Sequence, residues 1–315
     1  FPKKINNQSM KIIRDLKGIK LDTPITASIG GFDGVHLGHQ KIIKNIVNES
    51  IKKKTKSAVV TFKPLPKIFF AKKNFEILSI NKKIDILKNF NLDYLIVLRF
   101  NKELMSMSSK DFIEEILIEK LNIKSLTAGD DFKFGHNQSG TVKELLDYSR
   151  KGYFSMNIES KHSIDNVRIS SSQIREAIIK NDFKKASKML GRPYSVSGKI
   201  MHGEKRGSQL GFPTANIKLA PNILLNGVYA VTTYIDNKKY YGVANIGYKP
   251  TFNGDKYIFE ANIFNFSDNL YGQRLDFDVI SKIRSTKKFS GIEELKKNIE
   301  NDINMAKKIF EIKWA

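Results

Sequence analysis

Short apolar runs alternate with amphipathic stretches over the part of the chain that ends near Leu190. The runs have the length of strands buried in a parallel sheet, and the stretches between them place apolar residues at helical spacing. This alternation predicts a doubly wound, Rossmann-like α/β domain with its ligand site outside the carboxyl ends of the strands. The predicted strands are Ile25–Ile29, Ala58–Phe62, Tyr94–Leu98, Ser125–Ala128 and Phe154–Ile158, and the predicted helices are Gly38–Ile51, Lys82–Asn89, Lys110–Lys120, Val142–Ser149 and a last one that ends near Leu190.

After Leu190 the pattern changes to β-rich runs separated by Gly, Asn and Asp turns. These runs predict a mainly β domain, a small antiparallel barrel, and the amphipathic stretch Ile292–Trp314 predicts a C-terminal helix packed against it. We place the domain boundary near Ser187, which gives domains of residues 1–186 and 187–315. The predicted barrel strands are Val196–Met201, Gly227–Ile235, Lys239–Ala244, Tyr257–Phe264 and Leu275–Ile283.

Composition narrows the class of protein without identifying it. A length of 315 residues fits two domains, and the absence of cysteine excludes disulfides, thiolate metal sites and a cysteine nucleophile. No run approaches the roughly eighteen apolar residues of a membrane span, and the first residues lack the apolar core of a signal peptide, so we expect a cytoplasmic protein with no membrane partner. The net charge of +22 raises nucleic acid as a partner, but the lysines lie in short scattered clusters, which disfavours a nucleic-acid groove and suits small anionic substrates.

Glycines, an aspartate and two histidines follow the first predicted strand, in the stretch Gly30–His39. Glycines let a ligand approach the backbone, and the first free amides of the next helix favour a negative group such as phosphate. The His-x-x-His spacing puts His36 and His39 at the mouth of this site, where they can donate hydrogen bonds to phosphate oxygens and add positive charge. The plainer interpretation is a strand-to-helix turn with two surface histidines.

The string Gly-Gly-Phe-Asp-Gly-Val-His-Leu-Gly-His resembles the signature of the nucleotidyltransferase superfamily, whose members cut ATP or CTP between the α and β phosphorus atoms. The resemblance implies that His36 and His39 contact the phosphates. It leaves the acceptor open, since relatives use phosphopantetheine, nicotinamide mononucleotide, FMN, glycerol phosphate or phosphocholine. It further implies an ATP site that includes Gly31, Phe32, Asp33 and Gly38.

Three further motifs resemble those of the FMN adenylyltransferase module of bacterial bifunctional riboflavin kinase/FAD synthetases: Thr61–Pro66, Asp131–Gly135 and Ile169–Arg175. The resemblance implies that Ser171 and Ser172 bind ATP, that Arg175 is catalytic and that Asp131 lies near the flavin. The serines taken alone fit plain helix capping equally well. Leu65 departs from the family, which usually has histidine there, so a hydrogen-bond donor is lost.

The segment Gly203–Asn216 is rich in glycine and basic residues and predicts a mobile flap over phosphates, while composition alone also fits a long hairpin loop. Thr214 and Asn216 offer the oxygen ligands that suit Mg²⁺. The Pro-Thr-Ala-Asn string resembles the riboflavin kinase motif, which implies ATP contacts from Gly203, Lys205 and Gly207. Accompanying segments are Gly191–Tyr194, Gly242–Phe252 and Leu270–Gly272, and the departures from the family are Ser208 in place of arginine and Asn262 in place of histidine.

Together the motifs imply a bifunctional enzyme that uses ATP and Mg²⁺ to convert riboflavin to FMN and then FMN to FAD. The resemblance gives Glu260 the role of general base for the kinase step and places Arg284 at the flavin. Two alternatives stay open: a riboflavin kinase whose adenylyltransferase half is impaired by Leu65, and a flavin-responsive regulator that binds nucleic acid through degenerate enzyme domains.

Overall fold

A computed structural model describes residues 9–70, 76–159, 163–164, 167–202, 211–219, 225–249 and 256–311. The chain divides into two compact units, Phe1–Ser171 and Ser172–Ala315. Over the described ranges, none of the helices combines the length and the apolar character that a bilayer crossing requires.

A parallel six-stranded sheet forms the centre of the first unit. Its strands are β1 (Lys11–Arg14), β2 (Ile25–Ile29), β3 (Lys56–Lys63), β4 (Tyr94–Arg99), β5 (Ile123–Gly129) and β8 (Ser155–Glu159). They lie in the order β1-β4-β3-β2-β5-β8, and every neighbouring pair is parallel. All five residues of β2 are buried, as expected of a strand covered on both faces. The five predicted strands are confirmed, and β1 is an additional edge strand.

Helices cover this sheet, as the alternating pattern predicts. A short π-helix at Phe112–Lys120 continues α5, so the two together form the single helix predicted at Lys110–Lys120. Two small antiparallel pairs also belong to the unit: β6 (Lys133–Phe134) with β7 (Gly140–Thr141), and β9 (Ser163–Ile164) with β10 (Val167–Arg168). The helices are α1 (Leu37–Lys53), α2 (Pro66–Phe70), α3 (Ile80–Lys88), α4 (Lys102–Ser106), α5 (Ser109–Asp111) and α6 (Val142–Arg150).

The strand order reverses at β2. From β2 the chain continues into β3 on one side, while β5 lies on the other side of β2. In open parallel sheets, ligands bind outside the carboxyl ends of the strands at such a switch point. The segment Gly30–His39 follows β2 directly, so it lies where this topology places a ligand.

A closed antiparallel barrel forms the centre of the second unit and confirms the mainly β prediction. Its core includes Phe259 and Phe277, both fully buried, with ring centroids 4.8 Å apart. The strands are β11 (Ser195–Met201), β12 (Ala215–Lys218), β13 (Gly227–Ile235), β14 (Lys238–Lys249), β15 (Lys256–Ile263) and β16 (Arg274–Arg284), in the order β11-β12-β15-β14-β13-β16 with β16 paired to β11.

A C-terminal helix, α9 (Ile292–Ile309), packs on the outside of the barrel. Its buried Ala306 belongs to a cluster with Val228, Ala230 and Val243 of the barrel strands. The ring of Phe310, just after the helix, lies 4.8 Å from that of Tyr241. The predicted C-terminal helix is therefore confirmed.

Two helices precede the barrel in place of the single one predicted. They are α7 (Ser171–Ile179) and α8 (Phe183–Leu190). The break falls at Asn181, whose φ of 59° lies in the left-handed region that ends a helix. The side chain of Phe183 is buried, and its ring lies 6.2 Å from that of Tyr194 and 5.9 Å from that of Tyr229 in the barrel. A boundary at Ser187 falls inside α8.

Candidate active sites

The Gly-rich loop joins β2 to α1 through a sharp turn. Phe32 has the left-handed φ of 45°, and a short 3₁₀ turn spans Asp33–Val35. His36 is extended and serves as the N-cap of α1, with its Nδ1 accepting a hydrogen bond from the backbone N–H of His39 at 3.3 Å. Since this bond satisfies one of the first helix amides, the cap fixes the direction of the His36 ring.

The two predicted histidines are in direct contact. Their rings stack with centroids 3.6 Å apart and planes inclined by 15°, and the Phe32 ring lies 4.9 Å from that of His39. His36 is buried and His39 is half-buried. The Nδ1 atom of His39 is buried and has no hydrogen-bond partner among the described residues. The pair forms one compact imidazole surface at the start of α1.

The environment of His39 favours its neutral form. Burial lowers the pKa of His39 well below its usual value, and the nearby charges of His36 and Lys83 lower this pKa further. A neutral imidazole can still donate one N–H to a phosphate oxygen. The lowered pKa therefore favours hydrogen bonding by a neutral His39 over the added positive charge that the spacing alone suggested.

Asp33 connects the loop to two other segments. Its carboxylate accepts hydrogen bonds from the backbone N–H groups of Ile77 and Leu78, at 2.9 Å and 3.4 Å to Oδ1. Its carbonyl oxygen accepts a hydrogen bond from the hydroxyl of Ser171 at 2.9 Å. Both residues predicted at the ATP site therefore also hold the loop in place.

Beneath the loop lies a buried cation that the sequence motifs do not reveal. The Lys83 ammonium donates to the Gly31 carbonyl oxygen at 2.8 Å, and the Thr61 hydroxyl donates to the same oxygen at 3.0 Å. Lys83 lies on α3 with Ile80, Ile84 and Leu87, spacings that place it on the apolar face of the helix. A lysine on such a face was the signal that could have identified it.

The remaining predicted residues of the adenylyltransferase site lie on three segments. Asp131 is exposed just after β5, which pairs with β2. Ser172 and Arg175 lie on the first two turns of α7. Leu65 is buried, and its Cδ2 lies 3.6 Å from where a Cβ on Gly31 would be, so it packs against the Gly-rich loop and supplies apolar contact where the family usually has histidine.

Strand register brings together residues that the sequence places at the kinase site. Glu260 on β15 pairs with Asn216 on β12 and with Asn245 on β14. Paired residues on antiparallel strands project to the same face. Because Phe259 and Ala261 are fully buried in the barrel, the intervening Glu260 lies on the outer face with the two asparagines. The sequence motifs did not assign a role to Asn245.

Two amides shape the segment before β12. The Asn216 side-chain amide donates to the Thr214 carbonyl at 3.1 Å and to its hydroxyl at 3.3 Å. Asn262 donates to the Pro213 carbonyl at 2.8 Å. The residue that departs from the family therefore ties the Pro-Thr-Ala-Asn segment to the strand that carries Glu260.

Arg284, predicted at the flavin, forms a bidentate ion pair with Asp302 on α9. Its Nε and Nη2 donate to the two carboxylate oxygens, each at 2.7 Å. The guanidinium also lies 5.6 Å from the centre of the Phe289 ring. A bidentate pair of this kind holds the guanidinium plane in one orientation.

The flap predictions for Gly203, Lys205, Gly207 and Ser208 lie outside the described residues. Within the described ranges, no group of three His, Cys, Asp or Glu side chains could hold a metal ion. Thr214 and Asn216 offer hydroxyl and amide oxygens, a donor set that suits a hard cation.

Comparison with known proteins identifies the two halves. The FAD synthetase family matches residues 19–173, and the riboflavin kinase family matches residues 190–310. A bifunctional riboflavin kinase/FMN adenylyltransferase of Buchnera aphidicola (strain Sg) is 39% identical and aligns with 96% of this chain and 100% of its own length. The chain belongs to the bifunctional riboflavin kinase/FMN adenylyltransferase family.

Other members of this family match over similar lengths. The Haemophilus influenzae member is 37% identical, with 90% of this chain and 93% of the relative covered. The same fold occurs in a crystal structure from Streptococcus pneumoniae described as a macrolide-efflux protein, with a TM-score of 0.77, 29% identity and coverage of 97% of this chain and 99% of that one. The family inferred from the motifs is confirmed.

Proposed function

We propose that the Gly-rich loop is the site of FMN adenylylation and that the outer barrel face around Glu260 is the site of riboflavin phosphorylation. The chain is a bifunctional enzyme with ATP, riboflavin and FMN as substrates, as its two matched families imply. Each assignment has one main observation behind it. For the kinase site it is the pairing of Glu260 with Asn216 on neighbouring strands. For the adenylylation site it is the stacked pair of His36 and His39 at the N-terminus of α1.

In the kinase step, the terminal hydroxyl of the ribityl chain attacks the γ-phosphorus of ATP, and ADP leaves. An alcohol is a weak nucleophile, so a carboxylate within hydrogen-bond reach helps by accepting its proton. Glu260 is a carboxylate on the outer face of the barrel and pairs with Asn216, whose side-chain amide is bonded to Thr214. Arg284, held by Asp302, is the proposed contact for the flavin product.

Mg²⁺ fits the same face. The oxygens of Thr214 and Asn216 are the proposed ligands, because the Asn216 amide nitrogen is used in bonds to Thr214 and its oxygen then points elsewhere. When bound, the ion supplies neutralisation of phosphate charge. The protein residues orient the ATP and accept the proton.

In the adenylylation step, a phosphate oxygen of FMN attacks the α-phosphorus of ATP, and pyrophosphate leaves. The attacking phosphate is already ionised, so alignment and stabilisation of charge carry the catalysis. The amides of the Gly-rich loop, the N–H groups of His36 and His39, and Arg175 supply the donors. Ser171 acts through its bond to the Asp33 carbonyl, which holds the loop.

The other residues that the motifs assign have supporting roles in the adenylylation site. Gly31, Phe32, Asp33, Gly38 and Ser172 complete the proposed ATP site, with Asp131 at the flavin. Both steps act on anions, so the net charge of +22 attracts substrates and products without a nucleic-acid partner. We place the enzyme in the cytoplasm, where ATP is supplied.

We expect riboflavin, ATP and Mg²⁺ incubated with the protein to give FMN first and FAD afterwards, because both sites are present in one chain. Chromatography that resolves the three flavins over time checks this. Accumulation of FMN without FAD at saturating ATP contradicts the adenylyltransferase assignment and supports an adenylyl half impaired at Leu65. FAD formed from supplied FMN, but no FMN from riboflavin, contradicts the kinase assignment.

We expect a fragment of residues 172–315 to fold and to phosphorylate riboflavin, since it holds α8 and the whole barrel. A fragment of residues 187–315 keeps the kinase motifs but loses Phe183, a buried side chain whose removal costs about 3–5 kcal/mol in a typical core. The shorter fragment should therefore melt at a lower temperature. Thermal melts and FMN formation by both fragments measure this, and a folded but inactive 172–315 fragment contradicts the assignment of the kinase to this half.

A further inference from the structure

Lys83 is a buried lysine at the base of the Gly-rich loop. Its side chain is 3% exposed, and its ammonium donates to two neutral oxygens, the Gly31 carbonyl at 2.8 Å and the Thr61 hydroxyl at 3.5 Å. Burial of an ammonium is costly even when it is hydrogen-bonded. A residue kept in such a place has a task that an apolar side chain cannot perform.

The first consequence of the contact is the orientation of one peptide group. The peptide between Gly31 and Phe32 is trans, since Lys63-Pro64 is the cis bond of the described chain. In a trans peptide the carbonyl and the following N–H point in opposite directions. Because the Gly31 carbonyl points at the buried ammonium, the Phe32 N–H points away from it, on the other side of the loop.

The second consequence is electrostatic. The positive charge of Lys83 lowers the pKa of His39, so the ammonium lies within electrostatic reach of the histidine pair. Burial lowers the pKa of Lys83 itself. Three charged side chains also act on it: Asp33 and Glu76 raise this pKa, and Lys63 lowers it. A cation under the loop favours a phosphate bound above it.

We propose that Lys83 is a positioning residue for adenylyl transfer, which fixes the Gly31 peptide so that the loop amide faces the ATP phosphates and places a buried positive charge beneath them. The proposal rests on the assignment of adenylyl transfer to the Gly-rich loop. It gives α3 a part in catalysis through the loop, with no contact between the lysine and the reacting atoms.

Lys83→Met in the full-length protein tests the proposal, because it removes the charge and the donor while it keeps most of the chain length. We expect kcat for FAD formation from supplied FMN to fall on the order of a hundredfold, as misplacement of a catalytic group does, with a smaller change in KM for ATP. Riboflavin kinase activity of the same preparation should be unchanged. The His39 pKa, followed by NMR, should rise because a nearby positive charge is gone.

Lys88→Met is the matched control, since Lys88 is an exposed lysine on the same helix and its loss should leave both activities unchanged. Lys83→Arg, which keeps the charge and the donors, should retain more adenylyl transfer than Lys83→Met. Unchanged kcat in folded Lys83→Met, equal loss of both activities, or no advantage of arginine over methionine overturns the proposal.

If Lys83→Met fails to fold, Lys83→Gln tests the role of the charge, because the glutamine amide can still donate a hydrogen bond but carries no charge. A loss of adenylyl transfer with intact kinase activity supports the proposed role of the buried charge, and wild-type adenylyl transfer overturns that role. The variant with both His36 and His39 changed to alanine distinguishes a wrong site assignment from a wrong role for Lys83. Its retention of FAD formation shows that the site itself is misassigned, whereas its loss beside an active Lys83→Met shows that the inference about Lys83 alone fails.

Discussion

FAD formation by the protein should fall by about a hundredfold or more when His36 and His39 are both changed to alanine, because the change removes two donors that stabilise charge in the transition state. Formation of FMN from riboflavin should persist, since the kinase residues lie on the barrel of the second unit. Initial rates of both steps, measured on one preparation with each substrate supplied separately, check the result.

A second variant sharpens this test. Burial and neighbouring charge lower the pKa of His39 and so favour the neutral ring, whose role a neutral amide can partly replace. We expect His39→Gln to retain more FAD formation than His39→Ala. If both activities of the double variant fall together while circular dichroism shows an intact fold, the assignment of separate sites is wrong.

Glu260→Gln should lower the riboflavin kinase rate by roughly two to four orders of magnitude, the usual contribution of a positioned general base. The amide preserves the shape and the strand register with Asn216 and Asn245 but cannot accept the proton. Adenylylation of supplied FMN should be normal. Assays of the two half-reactions at saturating substrates give both numbers.

Glu300→Gln is the control for this variant, because Glu300 is an exposed carboxylate on α9 of the same unit. It removes one negative charge and should change neither rate. A Glu260→Gln kinase rate within a few-fold of the wild-type rate excludes Glu260 as the base, and the outer barrel face would then need another proton acceptor.

The strands and helices that the sequence predicts well are those with strong burial. Buried strands such as β2 and β3 leave uninterrupted apolar runs because both faces of a parallel sheet are covered. The elements that escaped prediction are short: β1 has two apolar residues between Lys11 and Arg14, and β12 has four residues at the end of a Gly-rich segment. Runs of this length are too short to show a period.

The residues of the candidate sites also differ in how well the sequence predicts them. The Gly-rich loop, the serines and Glu260 follow from motifs, whereas Lys83 and Asp302 belong to none of the quoted motifs, and the structure reveals their partners Gly31 and Arg284. Both hidden residues are charged and occupy the apolar faces of their helices. In a helical period such a residue is an exception, and its hydrogen-bond partner lies on another element of the chain, which the period of one helix does not reveal.

The two sheets also differ in their edges. The barrel closes on itself through β11 and β16, so each of its described strands is hydrogen-bonded to a neighbouring strand on both sides. The parallel sheet ends at β1 and β8, each paired on one side. Open edges invite pairing with another chain, and both of these are short and carry charged or polar residues, Lys11 and Arg14 on one and Asn157 and Glu159 on the other. Protection against self-association is thus built differently in the two halves: by closure in the barrel, and by short, polar edge strands in the parallel sheet.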